Sequence, residues 1–530
     1  MKEPKRIELS GEESEDLLKR LAEGRLREKD YEVLGIILKS WLWLLNAVRE
    51  KTISIKELQK LIFGAKTEKT DKVLEKKPPD KRKAAGPKEK PKGHGRNGSD
   101  VYKDAERIST PCREVCAGDR CPECGKGKLY KRNPSEIVCI RGQAPIQARI
   151  HELERLRCNL CGALFNAEPP EEAQGPKYDA SAGSMIVQLR YGGGFPHNRL
   201  EDLQANLGTP LPSSTQWDVV SGVYKDAEPV FEEMGRQAAG AELFHNDDTP
   251  GRILDLEKEI AEEVEAAERS GKKKEIRTGI FTTGIIAKVG LRKIALFFTG
   301  RKHAGENLSK VLEMRPRGLS PPIHMCDALS RNAPKAFQRL LANCLCHGRR
   351  NFVKLIEIFP DHVRHVLETL RDIYKNDDVA REQDMTDDER LAFHKEHSEP
   401  IMEEFLSWLE EQIALKIVEP NSRMGEAICY MIKHWEALTL FMRVPGAPLD
   451  NNICERALKM SIRHRNNSLF YKTEYGAQVG DLFMSIIHTC RLNGVNAFKY
   501  LIAIQQHATE VAASPADWMP WNYQQTIAAL

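Results

Sequence analysis

The sequence predicts a multidomain protein of the α+β class, and three observations lead to this prediction. A chain of 530 residues is too long for a single hydrophobic core, so three or four domains are expected. Two Cys-x-x-Cys-Gly motifs, at Cys121 and Cys158, indicate a small metal-binding domain. β-branched and aromatic runs between residues 241 and 345 alternate with helical patterns, and helical patterns dominate from there to the C-terminus.

The composition is that of a soluble globular protein, with 41% hydrophobic and 30% charged residues. No basic segment followed by an apolar segment and a cleavage site opens the chain, so no secretory signal is expected. The apolar run from Ile36 to Val48 contains Lys39 and is too short to cross a bilayer. Thirteen cysteines, an odd number, favour a reducing compartment. A cytoplasmic protein without a membrane partner is therefore expected.

Residues 1–63 are predicted to form an N-terminal helical segment. Apolar residues recur at helical spacing between Leu34 and Val48, and Ser54-Ile55-Lys56-Glu57 is a capping-box pattern that opens a second helix. Such a short helical pair buries little apolar surface alone. It either pairs with a second copy of the chain, as an assembly segment, or forms a small helical domain.

Residues 64–100 have the composition of a flexible linker, rich in Lys, Pro and Gly and almost free of apolar side chains after Leu74. The segment from Lys51 to Asp100 holds 15 basic and 7 acidic residues, although the net charge of the whole chain is only +3. Concentrated positive charge favours a polyanion partner, because each neutralised phosphate releases a counterion. The alternative is a basic spacer without a partner.

The two cysteine motifs predict a zinc ribbon over residues 101–168. Each motif places two thiolates on one side of a tight turn, and two such turns complete a tetrahedral sulfur cage. Four protein ligands leave no position for a reactive water, so this zinc is expected to be structural. The alternatives are a disulfide or a chance recurrence. Cys112, Cys116 and Cys139 are interpreted as free thiols, and the predicted Zn²⁺ ligands are Cys121, Cys124, Cys158 and Cys161.

Residues 169–240 are predicted to be a helical connecting domain, and residues 241–352 the first part of a core that contains the sheet. Short apolar and β-branched runs predict its strands, and the second and third of these form a hairpin around Gly290. The predicted strands are Leu243 to Pro250, Thr278 to Val289, Ile294 to Thr299, Ile323 to Asp327, and Leu340 to Leu345. A charged helix follows the first strand and another helix precedes the fourth. This order is that of the ribonuclease-H-like fold, in which two adjacent strand ends hold two carboxylates.

Three acids are the candidate reactive residues. Asp247 and Asp327 stand near the ends of two predicted strands, and two carboxylates side by side repel each other unless divalent cations share them. Two such cations about 4 Å apart can activate a hydroxyl and stabilise the leaving oxygen of a phosphodiester. Glu455 follows the helix-start signal Asp450-Asn451-Asn452 and is the third candidate. The alternatives are ordinary turn or cap residues for each Asp and a surface ion pair for Glu455.

Basic residues flank these acids in the sequence. His347, Arg349 and Arg350 open a predicted helix, and arginine grips phosphate oxygens in a fork. Residues 353–447 are predicted to be a helical insertion with a charged break from Asn376 to Arg390. Residues 448–505 complete the core, and 506–530 form a C-terminal tail. Beyond Glu455 a basic, aromatic strip indicates either a nucleic-acid track or a solvated surface; its members are Arg456, Lys459, Arg463, His464, Arg465, Phe470, Tyr471 and Lys472.

The sequence resembles the DDE transposases of the insertion-sequence 66 family. The resemblance extends over nearly the whole chain, from Leu61-Ile62-Phe63-Gly64 to the tail that contains Thr489-Cys490. The most specific motifs are Asp247-Asp248-Thr249-Pro250, Cys344-x-Cys346-His347-x-Arg349-Arg350-x-Phe352, and Asp450-Asn451-Asn452-x-x-Glu455-Arg456. The family usually has Glu after its first acid, where this chain has Asp248, so either Asp247 or Asp248 is the first metal ligand.

The resemblance implies a polynucleotidyl transferase that cuts and joins DNA with two metal ions. Asp247, Asp327 and Glu455 are then the catalytic acids that bind Mg²⁺ or Mn²⁺. His347, Arg349, Arg350, Arg456, Lys459, Arg463 and Arg465 are the expected DNA-binding residues. Terminal inverted repeats, target DNA, further copies of the chain and accessory proteins of the same element are the expected partners, in a bacterial cytoplasm at the nucleoid. The alternative is an inactive, transposon-derived protein that acts by occupying terminal repeats.

Overall fold

The computed structural model describes residues 11–38, 70, 73, 116–124, 126–130, 144–157, 164–270, 276–334 and 337–530. The chain divides into two compact units, one made of Met1–Lys76 and Ile146–Leu530 and the other of Lys77–Pro145. The predicted helix that begins at Ser54 lies outside the described residues. The same holds for the part of the helical apolar pattern that follows Leu38. In the larger unit, β1 (Arg155–Arg157) and β2 (Leu164–Asn166) form an antiparallel pair.

A five-stranded mixed sheet organises the larger unit. Its strands lie in the order β5-β4-β3-β6-β7. The strand β3 is antiparallel to β4, β4 is antiparallel to β5, and the pairs β3/β6 and β6/β7 are parallel. The bounds are β3 (Leu243–Pro250), β4 (Phe281–Val289), β5 (Arg292–Gly300), β6 (Ile323–Cys326) and β7 (Leu340–Asn343).

Every predicted strand is present, with shifts at the ends, and β5 begins two residues earlier and ends one residue later than predicted. Residues 278–280 precede β4 and are not part of it. Asp327 directly follows β6, and Leu345 already begins a helix. Gly290 has φ 57° in the turn between β4 and β5, a conformation that side chains with a Cβ rarely adopt, so the hairpin turn is where the sequence placed it.

Helices surround the sheet. Before it lie α1 (Gly11–Ala22), α2 (Ala180–Val187) with one π-helical turn (Gln188–Gly192), α3 (His197–Asn206) and α4 (Ser213–Ala239). Between its strands in the chain lie α5 (Leu254–Ser270) and α6 (Ala304–Leu312), and α7 (Leu345–Val353) directly follows the last strand. After it follow α8 (Pro360–Glu382), α9 (Asp387–His397), α10 (Glu399–Ala414), α11 (Arg423–Lys433), α12 (Trp435–Leu438), α13 (Asn452–Ser468), α14 (Glu474–Leu492), α15 (Ala497–Gln506), α16 (Ala508–Ala513) and α17 (Tyr523–Ala529).

The predicted charged break from Asn376 to Arg390 is wrong in its extent. The helix α8 continues through Asn376 to Glu382, and only residues 383–386 interrupt the helical run. The charges do not break the helix because Arg390 and His394 of α9 reach back to the Asp377 carboxylate, at 2.7 and 3.3 Å. Charged residues can continue a helix when side chains of the next helix pair with them. The sequence shows that this stretch is charged but not that such partners exist.

The edge strand β5 is covered by α14. Three α14 side chains, spaced four residues apart, accept hydrogen bonds from outward-facing β5 amides: Asp481 from Thr299, Ser485 from Phe297 and Thr489 from Ala295. Four-residue spacing puts these side chains on one helix face. The helix thus pairs amides that an open sheet edge leaves exposed to association with other strands.

The described residues of the larger unit form three hydrophobic clusters. One joins β4 and β5 to α4, α13, α14 and the C-terminal helices, and a second joins β6 and β7 to α7, α8, α10, α11 and α12. A small third cluster contains Ile253, Leu256, Ile260, Ile280 and Ala477. Among the described residues, no helix has both the length and the apolarity needed to cross a bilayer.

Candidate functional site

Asp247 and Asp327 are neighbours at one end of the sheet. In the parallel pair β3/β6, His245 lies opposite Met325, and each Asp comes two residues later in its strand direction. The Nδ2 atom of Asn332 lies 2.5 Å from Asp327 Oδ1 and 3.3 Å from Asp247 Oδ1. The two carboxylates therefore share one amide donor.

Buried polar side chains hold that donor in place. Asn332 follows Asp327 in a short 3-10 turn, and its backbone oxygen accepts a hydrogen bond from Asn246 Nδ2 at 2.8 Å. Asn246 in turn lies 2.9 Å from His324 Nε2 through its Oδ1. All three side chains are buried, so the Asn332 amide has a fixed position before any ligand is bound.

Like charges lie close together in this cluster. Burial, and after it the charges of Asp327, Asp248 and Glu455, raise the pKa of Asp247 from 3.8 to about 7, against the hydrogen bond from the Asp248 amide. Glu455 Oε1 is buried and has no hydrogen-bond partner among the described residues. Grouped carboxylate oxygens of this kind match the ligands that hard divalent cations prefer, so the residues fit Mg²⁺ or Mn²⁺.

Glu455 lies in the first turn of α13, and its charge is one of those that raise the pKa of Asp247. The start of the helix is fastened to β3 by Asn451, whose Nδ2 donates to Asn246 O at 2.9 Å and whose Oδ1 lies 3.1 Å from His245 Nδ1. Asp450 accepts from the Asn452 amide at 3.0 Å, which satisfies one first-turn donor. The predicted helix start is therefore present, although the Asn451 side chain binds the strand instead of capping the helix.

A glycine on β4 allows α13 to approach the sheet closely. Gly284 pairs with Asp247, so both residues face the same side of the sheet. A Cβ at Gly284 would lie 3.0 Å from Leu458 Cδ2 and 3.5 Å from Cys454 Sγ, both on α13. The Cys454 thiol also donates to Gly284 O at 3.3 Å. The helix that carries Glu455 thus packs onto the face that presents Asp247.

Asp248 faces the opposite side of the sheet. Its carboxylate is almost fully buried and lies 3.0 Å from His303 Nδ1 and 3.3 Å from Arg331 Nη2. Successive side chains of a strand alternate between faces, which separates Asp248 from its neighbour. Of the two candidates for a first metal ligand, Asp247 is the one that shares a donor with Asp327.

The start of α7 lies against Glu455. His347 Nε2 is 3.7 Å from Glu455 Oε1, and Arg350 Nη2 is 3.7 Å from Glu455 Oε2. Arg349 donates instead to the Thr70 hydroxyl at 3.0 Å. Of these three predicted DNA-binding residues, two are therefore brought to the acid cluster.

The basic strip beyond Glu455 divides between surface and interior. Arg456, Lys459 and Arg463 are exposed and spaced along one face of α13, which leads away from Glu455. Arg465 lies 3.2 Å from Thr249 Oγ1 and also donates to the backbone oxygen of Pro250. The strip is wrong for two members that face the interior: His464 is buried and stacks on the half-buried Tyr471 with ring centres 4.6 Å apart.

A cavity lies at the C-terminal end of α13. It has a volume of ≈ 530 Å³, and Arg190, Arg199, Asn467, Leu469 and Phe470 belong to its lining. Leu469 has φ 69°, which is unusual for a residue with a branched side chain, and its side chain is exposed. The lining thus combines apolar side chains with two arginines.

The smaller unit contains two of the four predicted zinc ligands, Cys121 and Cys124. The Cys121 amide donates to Gly127 O at 2.7 Å, which closes a tight turn. The amides of Gly127 and Lys126, with the Cys121 thiol, lower the pKa of Cys124 and favour the thiolate that binds metal. Cys116 is exposed. The other predicted ligands, Cys158 and Cys161, lie outside the described residues, as do Cys112 and Cys139.

Several residues of the site were not identified from the sequence. Asn332 and Asn246 are polar residues in or near strands, and nothing in their spacing distinguishes them from turn or surface residues. In the sequence, Asn451 indicates a helix start, and Cys344 belongs to a motif without a role of its own. Gly284 is not among the predicted site residues, although a glycine inside a β-branched run is a signal of close backbone approach.

Comparison with known proteins identifies one matching family and several related proteins. The profile of a family described as "Transposase IS66 family" matches residues 177–479. The chain is 25% identical to "Uncharacterized protein y4hP" of Sinorhizobium fredii over 436 residues, which cover 77% of this chain and 74% of that protein. It is 29% identical to "Uncharacterized protein y4qI" of the same organism over 190 residues, covering 35% of this chain and 34% of that protein.

Proposed function

Because the chain belongs to the IS66 transposase family, we propose that it is a DNA transposase that cleaves the ends of an insertion sequence and joins them to target DNA. The observation that carries the proposal is the donor shared by Asp247 and Asp327, beside the helix that presents Glu455. The sheet order β5-β4-β3-β6-β7 supports a ribonuclease-H-like core, since that fold also places a central strand between an antiparallel hairpin and parallel neighbours.

In this proposal Asp247, Asp327 and Glu455 hold the divalent cations. Mg²⁺ or Mn²⁺ bound there supplies an activated hydroxyl and stabilises the leaving oxygen of the phosphodiester. Asn332 fixes the Oδ1 atoms of both Asp carboxylates, so the pair keeps its orientation before cations bind. Asp248 stays on the other face with His303 and Arg331, and it maintains the position of β3 rather than binding a cation.

DNA binding is assigned to the basic groups around the acids. Arg350 and His347 lie close enough to Glu455 to contact a phosphate at the same site. The exposed face formed by Arg456, Lys459 and Arg463 continues from there, and phosphate contacts of this kind position a duplex without reading its sequence. Arg349 and Arg465 are the remaining members of the proposed DNA surface. Structural Zn²⁺ on Cys121, Cys124, Cys158 and Cys161, and assembly of several copies on DNA, complete the proposal.

The test is cleavage of the DNA that flanks the protein's own gene. The wild-type chain is expected to nick terminal-repeat DNA with Mg²⁺ and to stop when EDTA removes the cation. Glu455→Gln is expected to bind the same DNA with an unchanged Kd and to lose nicking by at least about 10²-fold, a typical loss when a charge stabiliser is removed. The matched control Glu403→Gln, on the exposed face of α10, is expected to nick normally.

A different result would favour the alternative function, a DNA-binding protein without cleavage activity. If the wild-type chain and Glu455→Gln bind terminal-repeat DNA equally and neither nicks it with Mg²⁺ or Mn²⁺, the chain acts by occupancy of its binding sites.

A further inference from the structure

A second group of metal-binding atoms shares Glu455. The sulfur of Cys344, a ring nitrogen of His347 and a carboxylate oxygen of Glu455 all lie within 4.8 Å of one another. Cys344 precedes α7, His347 is in its first turn, and Glu455 is in the first turn of α13. Two contacts join these helix starts: Leu345 N donates to Leu449 O at 3.1 Å, and Asn451 N donates to Cys344 Sγ at 3.3 Å.

Two atoms of this group are buried without a hydrogen-bond partner among the described residues. They are His347 Nδ1 and Glu455 Oε1. Buried polar atoms are nearly always paired, so Glu455 Oε1 is open to a metal ion. His347 can bind the same ion through Nε2, the ring nitrogen for which the contact with Glu455 Oε1 is recorded. The contact between His347 Nε2 and Glu455 Oε1 is 3.7 Å, close to the roughly 3.3–3.7 Å that separates two ligands on one tetrahedral ion with bonds of about 2.0–2.3 Å.

The donor types differ from those of the acid pair. Mg²⁺ takes oxygen ligands and does not select a thiolate, whereas a sulfur, a nitrogen and an oxygen together suit Zn²⁺ or Co²⁺. We propose that Cys344, His347 and Glu455 form a binding site for Zn²⁺ or Co²⁺. This site is distinct from the Mg²⁺ site proposed at Asp247 and Asp327. Three protein ligands leave one coordination position open for water or another group. When the metal–sulfur bond forms, the Cys344 thiol releases its proton to solvent.

Because this site shares Glu455 with the acid pair, a metal ion bound here affects cleavage. This effect on cleavage rests on the proposed function. A zinc ion held by Cys344 and His347 withdraws the Glu455 carboxylate from the acid pair. Micromolar Zn²⁺ is then expected to inhibit Mg²⁺-dependent cleavage by competition for one side chain.

The binding test is a Co²⁺ titration of the metal-stripped full-length chain, followed by thiolate-to-cobalt absorption in the near ultraviolet. Subtracting the spectrum of Cys344→Ser from that of the wild type removes the contribution of the other cysteines. The difference is expected to show the absorption of one cobalt–sulfur bond. His347→Ala, which changes a half-exposed side chain, is expected to lose the same absorption without disturbing the core.

Two controls make the result specific. Cys429→Ser replaces a half-buried cysteine of α11 and is expected to leave the difference absorption unchanged. Asp247→Asn removes a member of the acid pair and is also expected to retain it. If the wild-type, Cys344→Ser and His347→Ala chains give the same cobalt spectrum while remaining folded by circular dichroism, there is no such site.

Inhibition is measured as the ratio of cleavage with and without Zn²⁺ in each variant. The ratio is expected to fall in the wild type and to return towards one in Cys344→Ser. Cobalt absorption without any Mg²⁺-dependent cleavage leaves the metal site standing and removes the proposed function. Cleavage that Zn²⁺ does not inhibit, with no cobalt absorption, removes the metal site and leaves the proposed function standing.

Discussion

The side chain of Asp247 shows how a buried acid is prepared for a cation. It lies in a strand, beside Asp327, Asp248 and Glu455, and burial raises its pKa to about 7. Its nearest side-chain donor is the neutral Asn332 amide, which it shares with Asp327. When it ionises, Asp247 adds a charge that no positive side chain of the described residues pairs with. A bound divalent cation supplies the missing positive charge.

The raised pKa of Asp247 predicts a pH-dependent stability. A carboxyl with a higher pKa in the folded than in the unfolded chain binds its proton more tightly when folded, so the free energy of unfolding falls as pH rises from about 4 to about 7. In EDTA, Asp247→Asn is expected to raise the melting temperature at pH 8 and to have a much smaller effect at pH 5. Thermal unfolding at the two pH values measures the difference.

Mg²⁺ and a neighbouring acid provide the controls for this prediction. Mg²⁺ at pH 8 is expected to raise the melting temperature of the wild type but not of Asp247→Asn. Asp248→Asn, whose carboxylate already contacts His303 and Arg331, is expected to keep the Mg²⁺ response. A stabilising effect of Asp247→Asn that is equal at pH 5 and pH 8 contradicts the account.

At the scale of single residues, the sequence indicates which acids are candidates for the site but not the direction of their side chains. Asp247 and Asp248 are adjacent in the chain and chemically alike. Only the pairing of Asp247 with Gly284 assigns Asp247 to the face that α13 covers. Asn332 could not be predicted, because its role depends on a turn that returns it to both carboxylates.

At the scale of elements, α13 depends on the small size of Gly284. A Cβ there would lie 3.0 Å from Leu458 Cδ2, so a branched side chain has to push the helix away from β4. Gly284→Val is expected to destabilise the fold by about 1–3 kcal/mol, as overpacking of a close-packed core does. It is also expected to remove the Mg²⁺ response by moving Glu455. Chemical denaturation with and without Mg²⁺ measures both effects.

A second glycine is the matched control for this variant. Apart from its chain neighbours and the backbone of its own helix, no atom of the described residues lies within 4 Å of a Cβ added to Gly222 in α4. Gly222→Ala is therefore expected to be neutral or to stabilise by up to about 1 kcal/mol, through higher helix propensity. Equal stability of Gly284→Val and the wild type contradicts the close approach of α13.

The cover of the sheet edge by α14 gives another prediction. Ser485 Oγ accepts from the Phe297 amide at 2.9 Å in a fully buried position. Ser485→Ala leaves that amide without a partner and is expected to cost about 1–3 kcal/mol. The control Ser407→Ala, at a site where the hydroxyl only contacts Glu403 O of its own helix, is expected to change stability by less than about 0.5 kcal/mol.

Urea denaturation measures the loss, and hydrogen exchange of the Phe297 amide locates it. Unchanged exchange at Phe297 in Ser485→Ala, relative to the wild type, contradicts the proposed edge cover. The position of α14 was not predictable from helical periodicity, because Asp481, Ser485 and Thr489 resemble a polar surface face in the sequence. Their burial against β5 amides is a tertiary effect.

At the scale of the whole molecule, the positions of the strands along the chain could be predicted better than the packing of the helices. β-branched runs and Gly290 located every strand within a few residues, because strand periodicity and turn chemistry are local. The helices between α8 and α12 were predicted as a group, but the extent of the charged break was wrong. Contacts between helices decided the outcome there, as with Arg390 and Asp377.

The proposed DNA cleavage requires that three acids from distant parts of the chain bind the same ions. The most direct measurement is anomalous diffraction from crystals of the full-length protein soaked in Mn²⁺. It is expected to show two manganese peaks about 4 Å apart, with oxygen ligands from Asp247, Asp327 and Glu455. Manganese bound elsewhere only, or bound to Asp248 in place of Asp247, would contradict the proposed site.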